Sequence, residues 1–250
     1  MFKEESWLLK EKYGGVETEE FHADLKRLAA GKPLGYVIGF VNFLGCKIFL
    51  DSRPLIPRVE TEFWVEKAIT EIKNHRSRTS VVKEELKVLD LCAGSGAIGV
   101  AIARHIPEAQ VTFAEIDRAH FPTIGKNLAE NAIVCTNYKV FESDLFSNIH
   151  EKYNYIFCNP PYIDKDLDRT QKSVKEFEPS LALYGGRGGL EIIERIITAS
   201  PTHLLPGGKL YLEHEPEQAA FIQTVGRQNG FAVKTELDQY QRARYSSLIY

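Results

Sequence analysis

The chain has 250 residues, of which 44% are hydrophobic and 26% charged, a composition typical of a globular protein with a substantial core. Its formal net charge of −3 gives no overall basic surface for nonspecific nucleic-acid binding, although a local basic patch stays possible. The four cysteines and seven histidines show no metal-ligand spacing, and no apolar stretch reaches the ~20 residues of a membrane helix. We therefore expect a reduced, cytoplasmic protein without a metal.

The amino-terminal part predicts one helix and then a β-hairpin. Residues 18–30 combine a threonine cap, acidic residues in the first turn and one apolar face, and Gly31 follows as a stop signal. In residues 36–50, β-branched and aromatic side chains with intervening glycines favour two antiparallel strands over a helix. A further helix is expected from about Thr61.

From residue 87 onward, short apolar strands alternate with amphipathic helices. This alternation predicts an α/β fold with a largely parallel sheet. The last two strands lack a connecting helix, so we expect antiparallel pairing there. The predicted strands are residues 87–91, 111–116, 138–142, 155–158, 209–214, 231–237 and 245–250.

A glycine-rich turn follows the first predicted strand, in the sequence Asp90-Leu91-Cys92-Ala93-Gly94-Ser95-Gly96. Glycines let a ligand approach the backbone, and the start of the next helix offers unpaired N–H groups, which favours a nucleotide or nucleoside ligand. The chain lacks a P-loop, but Gly99 lies where a dinucleotide fingerprint has its third glycine. A nicotinamide or flavin site, or a tight turn without any ligand, therefore stays open from this segment alone.

Two carboxylates follow the next two strands. Glu115 lies about 20 residues beyond the glycine turn, where this type of fold binds ribose hydroxyls. Asp144 could accept a hydrogen bond from the amino group of an adenine. Either acid could instead cap a helix or lie in a solvated loop.

The fourth strand runs directly into Asn159-Pro160-Pro161-Tyr162. The prolines have no N–H, so the Pro160 carbonyl and the Asn159 side-chain oxygen can accept the two hydrogens of a planar –NH2 group. Such acceptors would favour a pyramidal nitrogen with a directed lone pair, and Tyr162 offers a ring face for stacking. The alternative interpretation is a rigid turn.

Three segments resemble the peptide chain release factor N5-glutamine methyltransferases: residues 90–98, Ser143-Asp144-Leu145-Phe146 and Asn159-Pro160-Pro161-Tyr162-Ile163. Residues 57–62, 177–183 and 212–214 also resemble this family, so that the similarity spans about residues 32–250. The resemblance implies a class I S-adenosylmethionine-dependent methyltransferase with a Rossmann-like, seven-stranded, mostly parallel sheet. It also implies methylation of the glutamine in the Gly-Gly-Gln motif of class I release factors, with S-adenosylhomocysteine as the product.

The resemblance assigns roles by position. Residues Cys92, Ala93, Gly94, Ser95 and Gly96 would bind the methionine part of the cofactor, Glu115 the ribose, and Asp144 with Leu145 the adenine. Asp90 and Asn159 are also predicted cofactor contacts. Substrate binding falls to Asn159, Pro160, Pro161 and Tyr162, of which Asn159, Pro160 and Tyr162 are the predicted catalytic residues. We expect a monomer that binds no nucleic acid stably.

The predicted organisation has three parts, namely a short helical segment (residues 1–32), a β-hairpin linker (residues 33–58) and the methyltransferase domain (residues 59–250). The chain departs from the family in two places. The family usually opens with a longer helical bundle, whereas this sequence predicts little more than one helix before Lys32. Pro122 and Gly125 are also expected to interrupt the helix that follows Glu115, which is unbroken in the family.

Two other functions are compatible with the same motifs. An enzyme that methylates an exocyclic amine of adenine or guanine in nucleic acid would share Asn-Pro-Pro-Tyr, but the chain shows neither a clear basic face nor a base-recognition appendage. The other is a non-catalytic scaffold that binds the cofactor.

Overall fold

The computed structural model describes residues 3–78, 85–133, 138–167 and 170–250. The chain opens with three helices, α1 (Lys3–Tyr13), α2 (Glu19–Ala29) and α3 (Leu34–Ile38). They pack around Leu8, Phe21 and Val37, which are almost completely buried. The predicted helix is confirmed in α2: the Thr18 side chain accepts a hydrogen bond from the Phe21 N–H, and Gly31 follows with a φ of 86°.

Helix α1 is an addition to the single predicted helix of this region. Its sequence buries only Leu8, so its apolar periodicity is weak. Contacts with other helices hold it instead, because Lys12 Nζ donates to Asp24 Oδ2 at 2.6 Å and to the Val37 carbonyl at 2.7 Å. The Tyr13 hydroxyl donates to the same Asp24 oxygen at 2.7 Å.

The predicted hairpin is present as β1 (Phe40–Phe43) and β2 (Cys46–Phe49), which pair antiparallel. The prediction of strand structure for residues 36–38 is wrong, since they belong to α3. Val37 is drawn into the core of the three helices, and Gly39, with a φ of 96°, ends the helix in a conformation that glycine adopts readily.

The remainder forms a seven-stranded sheet with helices on both faces. Its elements are α4 (Val59–Arg78), β3 (Leu86–Leu91), α5 (Ala97–His105), β4 (Ala109–Glu115), α6 (Phe121–Glu130), β5 (Tyr138–Glu142), β6 (Tyr153–Cys158), α7 (Lys172–Phe177), α8 (Glu191–His203), β7 (Leu204–Glu213), α9 (Ala219–Gln228), β8 (Ala232–Leu237) and β9 (Ala243–Ile249). All seven predicted strands are confirmed, although β7 begins earlier than predicted.

The strand order is β5-β4-β3-β6-β7-β9-β8. All pairs are parallel except those of β9, which is antiparallel to both β7 and β8, as the missing connecting helix predicts. The order reverses between β3 and β6, and ligands of open α/β sheets bind at the carboxyl ends of the strands at such a point. Leu91 pairs with Cys158, so the glycine turn and Asn159 leave the sheet side by side.

Helix α6 is continuous from Phe121 to Glu130, so the predicted interruption is wrong. Pro122 lies in its first turn, where a backbone N–H would have no helical partner in any case. Gly125 is accommodated inside the helix.

Within the described ranges, no helix is both long and apolar enough to cross a membrane. The division into residues 1–32, 33–58 and 59–250 stays a prediction.

Candidate active site

The glycine turn after β3 has the backbone geometry that a close-approaching ligand requires. Cys92, Gly94 and Gly96 have φ values of 61°, 55° and 77°. A Cβ atom at Gly94 would come no closer than 3.9 Å to the atoms around it, at Pro54 Cβ, so the space beside this residue is open. Three N–H groups of the turn already have partners, because Ala93 donates to the Ala114 carbonyl, Gly94 to Glu115 and Gly96 to the Ala93 carbonyl.

Gly99 has a structural reason to be glycine. A Cβ there would lie 2.7 Å from Cζ of Phe113 and 3.0 Å from Oδ2 of Asp90, so the close packing of α5 on the sheet requires its absence. The third glycine of the apparent dinucleotide fingerprint is therefore explained by helix packing. It gives no support to a nicotinamide or flavin site.

Glu115 is brought directly to the glycine turn. Its Oε2 accepts the Gly94 N–H at 2.7 Å, and its Oε1 accepts the Asp117 N–H at 2.9 Å. Each carboxylate oxygen has two lone pairs, so Glu115 can still accept one hydrogen bond at each oxygen. The residue is nearly buried, so bulk solvent has little access to these acceptor sites.

Asp90 is buried behind the turn, and only one of its two carboxylate oxygens has a hydrogen-bond partner among the described residues. Its Oδ2 accepts the Gly99 N–H at 2.8 Å, whereas Oδ1 is buried without a hydrogen-bond partner among the described residues. Burial raises the pKa of this carboxyl well above its ordinary value. A buried acceptor without a partner fits a ligand that donates a hydrogen bond or carries a positive charge.

The two residues predicted for the adenine end, Asp144 and Leu145, differ in their surroundings. Asp144 is exposed, and its Oδ2 pairs with Arg195 Nη2 at 2.9 Å. Leu145 is buried and has a φ of 52°, a conformation supported by a hydrogen bond from the Ser143 hydroxyl to its carbonyl. Leu145 belongs to the buried cluster against which Cys92 of the glycine turn packs, and Asp144 Oδ1 has no hydrogen-bond partner among the described residues.

Asn159 and Pro160 present acceptors at the end of β6. Asn159 Nδ2 donates to Thr61 Oγ1 at 3.2 Å, and Asn159 Oδ1 has no hydrogen-bond partner within the described part of the chain. The Pro160 carbonyl is likewise unengaged there. The following residue is anchored twice, because the Tyr162 hydroxyl donates to Glu213 Oε1 at 2.9 Å and the Tyr162 carbonyl accepts from Gln218 at 2.8 Å.

A buried cluster behind this loop was not predicted from the sequence. Glu213, which ends β7, is 1% exposed and accepts hydrogen bonds from Thr61, Trp64 and Tyr162. Burial raises its pKa, and the three donors oppose that rise. Thr61 and Glu213 both lie in segments that resemble the family, and this was the only available signal.

A cavity of about 230 Å³ lies beside these acceptors. Its lining combines Asn159, Pro160 and Tyr162 with apolar residues, with Arg58 and with the carboxylates of Asp164, Glu215 and Glu217. Arg58 is held in place by Glu178, at 2.6 Å, and Glu178 also accepts the Ile56 N–H at 3.0 Å. The segment before α4 thus forms one wall of the cavity.

Comparison with known proteins agrees with this architecture. The model of the methyltransferase small domain matches residues 77–178. Among solved structures, the catalytic domain of human Mettl16 in complex with a MAT2A 3′UTR hairpin has a TM-score of 0.61 at 19% identity and covers 83% of this chain and 76% of its own. At that identity the likeness supports the fold alone.

Curated relatives identify the family of this chain as well as its fold. The release factor glutamine methyltransferase of Rhodopirellula baltica is 36% identical over 213 residues, which cover 84% of this chain and 70% of the relative. The enzyme of the same name from Streptococcus pneumoniae is 36% identical over 234 residues, with 91% and 79% covered. Identity at this level over most of both chains shows that this protein belongs to the release factor glutamine methyltransferase family.

Proposed function

We propose that this protein transfers a methyl group from S-adenosylmethionine to the side-chain amide nitrogen of the glutamine in the Gly-Gly-Gln motif of class I peptide chain release factors. The observation that carries the proposal is the pair of unengaged acceptors, Asn159 Oδ1 and the Pro160 carbonyl, beside the glycine turn. Membership of the family supports the choice of substrate.

The residues around the turn fit S-adenosylmethionine. The turn formed by residues 92–96 leaves space for its methionine part, and the unpaired Asp90 Oδ1 suits the ammonium group. Glu115 has the capacity to accept from the ribose hydroxyls. Asp144 and Leu145 would hold the adenine, with Asp144 using Oδ1 or exchanging Arg195 for the ligand.

The bound cofactor supplies an electrophilic methyl group attached to a positively charged sulfur. The protein must make an amide nitrogen nucleophilic, although its lone pair is delocalised. Asn159 Oδ1 and the Pro160 carbonyl can accept the two amide hydrogens, which fixes the nitrogen and favours a pyramidal geometry with a directed lone pair. The two acceptors also stabilise the positive charge that develops on nitrogen.

No strong base is required, since the proton leaves only after the nitrogen has become positively charged. His214, the histidine next to the cluster, is unsuited to such a role because burial lowers its pKa to about 4. Both of its ring nitrogens are also engaged, with the Glu215 carbonyl and the Ser246 hydroxyl.

Tyr162 contributes a fixed aromatic surface. Its hydroxyl is held by Glu213 and its carbonyl by Gln218, so the ring has little freedom to turn. A planar amide can stack on such a ring. Pro161 supports this arrangement by restricting the backbone between Pro160 and Tyr162.

The remaining expectations belong to the same proposal. A net charge of −3 fits an enzyme that does not bind nucleic acid stably, and free cysteines at positions 46, 92 and 158 fit the reducing cytoplasm. The same proposal includes a monomer that binds the release factor transiently. An exocyclic amine of nucleic acid is the less favoured acceptor, because the curated relatives quoted above are named for glutamine and the chain has no excess of basic residues.

The test is methyl transfer from radiolabelled S-adenosylmethionine to a purified, unmodified class I release factor. A release factor whose Gly-Gly-Gln glutamine is replaced by alanine is the matched control, and total cellular RNA is a third arm. We expect label on the first substrate alone. Label on RNA, or equal label on both release factors, would contradict the proposed acceptor.

A further inference from the structure

The polarity of the Asn159 side chain decides whether the acceptor site can work. Its amide could present either Oδ1 or Nδ2 to the cavity, and only Oδ1 can accept a hydrogen of the substrate amide. In the structure Nδ2 points to Thr61 Oγ1, at 3.2 Å, so Oδ1 is left for the substrate. Something must enforce this orientation, because the two ends of the amide have nearly the same shape.

The hydrogen-bond donors around Glu213 set the orientation of the Asn159 amide. Trp64 Nε1–H can only donate, so Glu213 Oε2, at 2.7 Å, must accept. Thr61 Oγ1 lies 2.7 Å from the same carboxylate oxygen and gives it the single hydroxyl proton. The Thr61 oxygen can then only accept from Asn159, which turns Nδ2 towards it.

The cluster is also rigid. Thr61, Trp64 and Glu213 are 3%, 0% and 1% exposed. The Trp64 ring stacks against Phe157, with ring centroids 5.9 Å apart, and Phe157 lies on the strand that leads into Asn159. The donor, the carboxylate and the strand that carries the acceptor are therefore held in one packed unit.

We propose that Thr61 and Glu213 are positioning residues that fix the direction of the Asn159 amide and so present Oδ1 to the substrate nitrogen. This inference rests on the proposed function for its effect on turnover. Neither residue touches the substrate: Thr61 acts through Asn159, and Glu213 acts through Thr61. Glu213 also fixes the Tyr162 hydroxyl, so one buried carboxylate aligns two residues of the acceptor loop.

The first test compares Thr61→Val, which keeps the shape and removes the hydroxyl, with Thr61→Ser, which keeps the hydroxyl. We expect Thr61→Val to lower kcat for the release factor by about 10- to 100-fold, because misplacement of a positioning group has effects of this size. The Kd for S-adenosylmethionine, measured by calorimetry, should change less than about threefold, and Thr61→Ser should restore most of kcat.

Thr70→Val is the matched control on the same helix. Thr70 is exposed and donates only to the Glu66 carbonyl, so this variant should leave kcat unchanged. A double variant separates positioning from general damage: in an Asn159→Ala background, Thr61→Val should cost less than about twofold more, since Thr61 acts through Asn159. An additive loss would overturn the inference.

The second measurement does not depend on turnover. In the wild-type protein with the cofactor bound, NMR should show a nuclear Overhauser effect between the Asn159 side-chain NH2 protons and the Thr61 methyl group. If wild-type enzyme leaves the release factor unlabelled, the proposed function fails, while this signal still decides the orientation. Absence of the signal, or normal kcat in Thr61→Val, overturns the inference.

Discussion

The acceptor end and the adenine end of the candidate site are built in opposite ways. At the acceptor end, Glu213 is buried and its carboxylate accepts three hydrogen bonds from side chains of the protein. At the adenine end, Asp144 and Arg195 form one ion pair between side chains that are 52% and 51% exposed. The first arrangement is complete without a ligand, whereas the second uses a surface pair that water can replace at low cost.

The difference follows from what each end must do. An acceptor that stabilises charge in the transition state works best when it does not reorganise during the reaction. A binding group for adenine need only be available when the cofactor arrives, so an exposed, exchangeable carboxylate is sufficient. We therefore expect substitutions at the acceptor end to affect turnover and stability strongly, and those at the adenine end to have smaller effects on binding.

The largest effect is expected for Asn159→Ala. Loss of one preorganised hydrogen-bonding group costs about 100- to 1,000-fold in kcat, by analogy with donors that stabilise transition-state charge. The cofactor Kd should change only a few-fold, since Glu115 and the glycine turn are untouched. Single-turnover kinetics and calorimetry measure the two quantities. Asn229→Ala, on the carboxyl-terminal side of α9, is the control, and equal losses in both variants would contradict the prediction.

The second prediction concerns acid stability next to the acceptor cluster. Burial lowers the pKa of His214 from 6.5 to about 4, so the unfolded chain binds the proton more readily than the folded protein. The contribution of neutral His214 is therefore present above about pH 6.5 and is lost as the pH falls towards 4. Between pH 7 and pH 4.5 this amounts to about 2 kcal/mol.

The measurement is urea unfolding of wild type and His214→Asn at both pH values. Titration of other groups is shared by the two proteins and cancels in the difference. The wild-type free energy of unfolding should fall by about 2 kcal/mol more than that of the variant. Parallel behaviour of the two proteins would mean that His214 becomes protonated in the folded state with little cost.

A smaller effect is expected for Asp144→Ala. If Asp144 holds the adenine, the Kd for S-adenosylmethionine should rise about tenfold, equivalent to about 1.4 kcal/mol. The kcat at saturating cofactor should stay within about threefold of wild type, because Asp144 lies away from the acceptors. Calorimetry with adenosine as a second ligand provides the check. An unchanged Kd for both ligands would remove Asp144 from the site.

The smallest effect is expected for Arg195→Ala. The exposed ion pair with Asp144 should contribute less than about 1 kcal/mol to the free energy of unfolding. Its loss should also leave the cofactor Kd equal to or slightly below that of wild type, since the adenine no longer competes with Arg195. Thermal unfolding in low and high salt measures the first quantity. A loss of several kcal/mol would show that the adenine end is as firmly built as the acceptor end.

The local sequence was sufficient to predict the strands and the motifs that follow their carboxyl ends. The alternating pattern identified all seven strands, and each motif lies where a strand ends, which in a parallel sheet means one edge. The resemblance identified the family before any geometry was known. The local pattern failed to predict α1, because the apolar periodicity of this helix is weak. Hydrogen bonds from Lys12 and Tyr13 to Asp24 hold the helix instead.

The sequence by itself therefore determined the fold class, the family and the presence of Asn159, because periodicity and motifs are local properties of the chain. Only the tertiary structure decided which end of the Asn159 amide faces the cavity. That orientation depends on Thr61, 98 positions away in the chain, and on Glu213, which lies 152 positions from Thr61. Hydrogen-bond polarity passes between groups that folding brings together, and no local pattern records it.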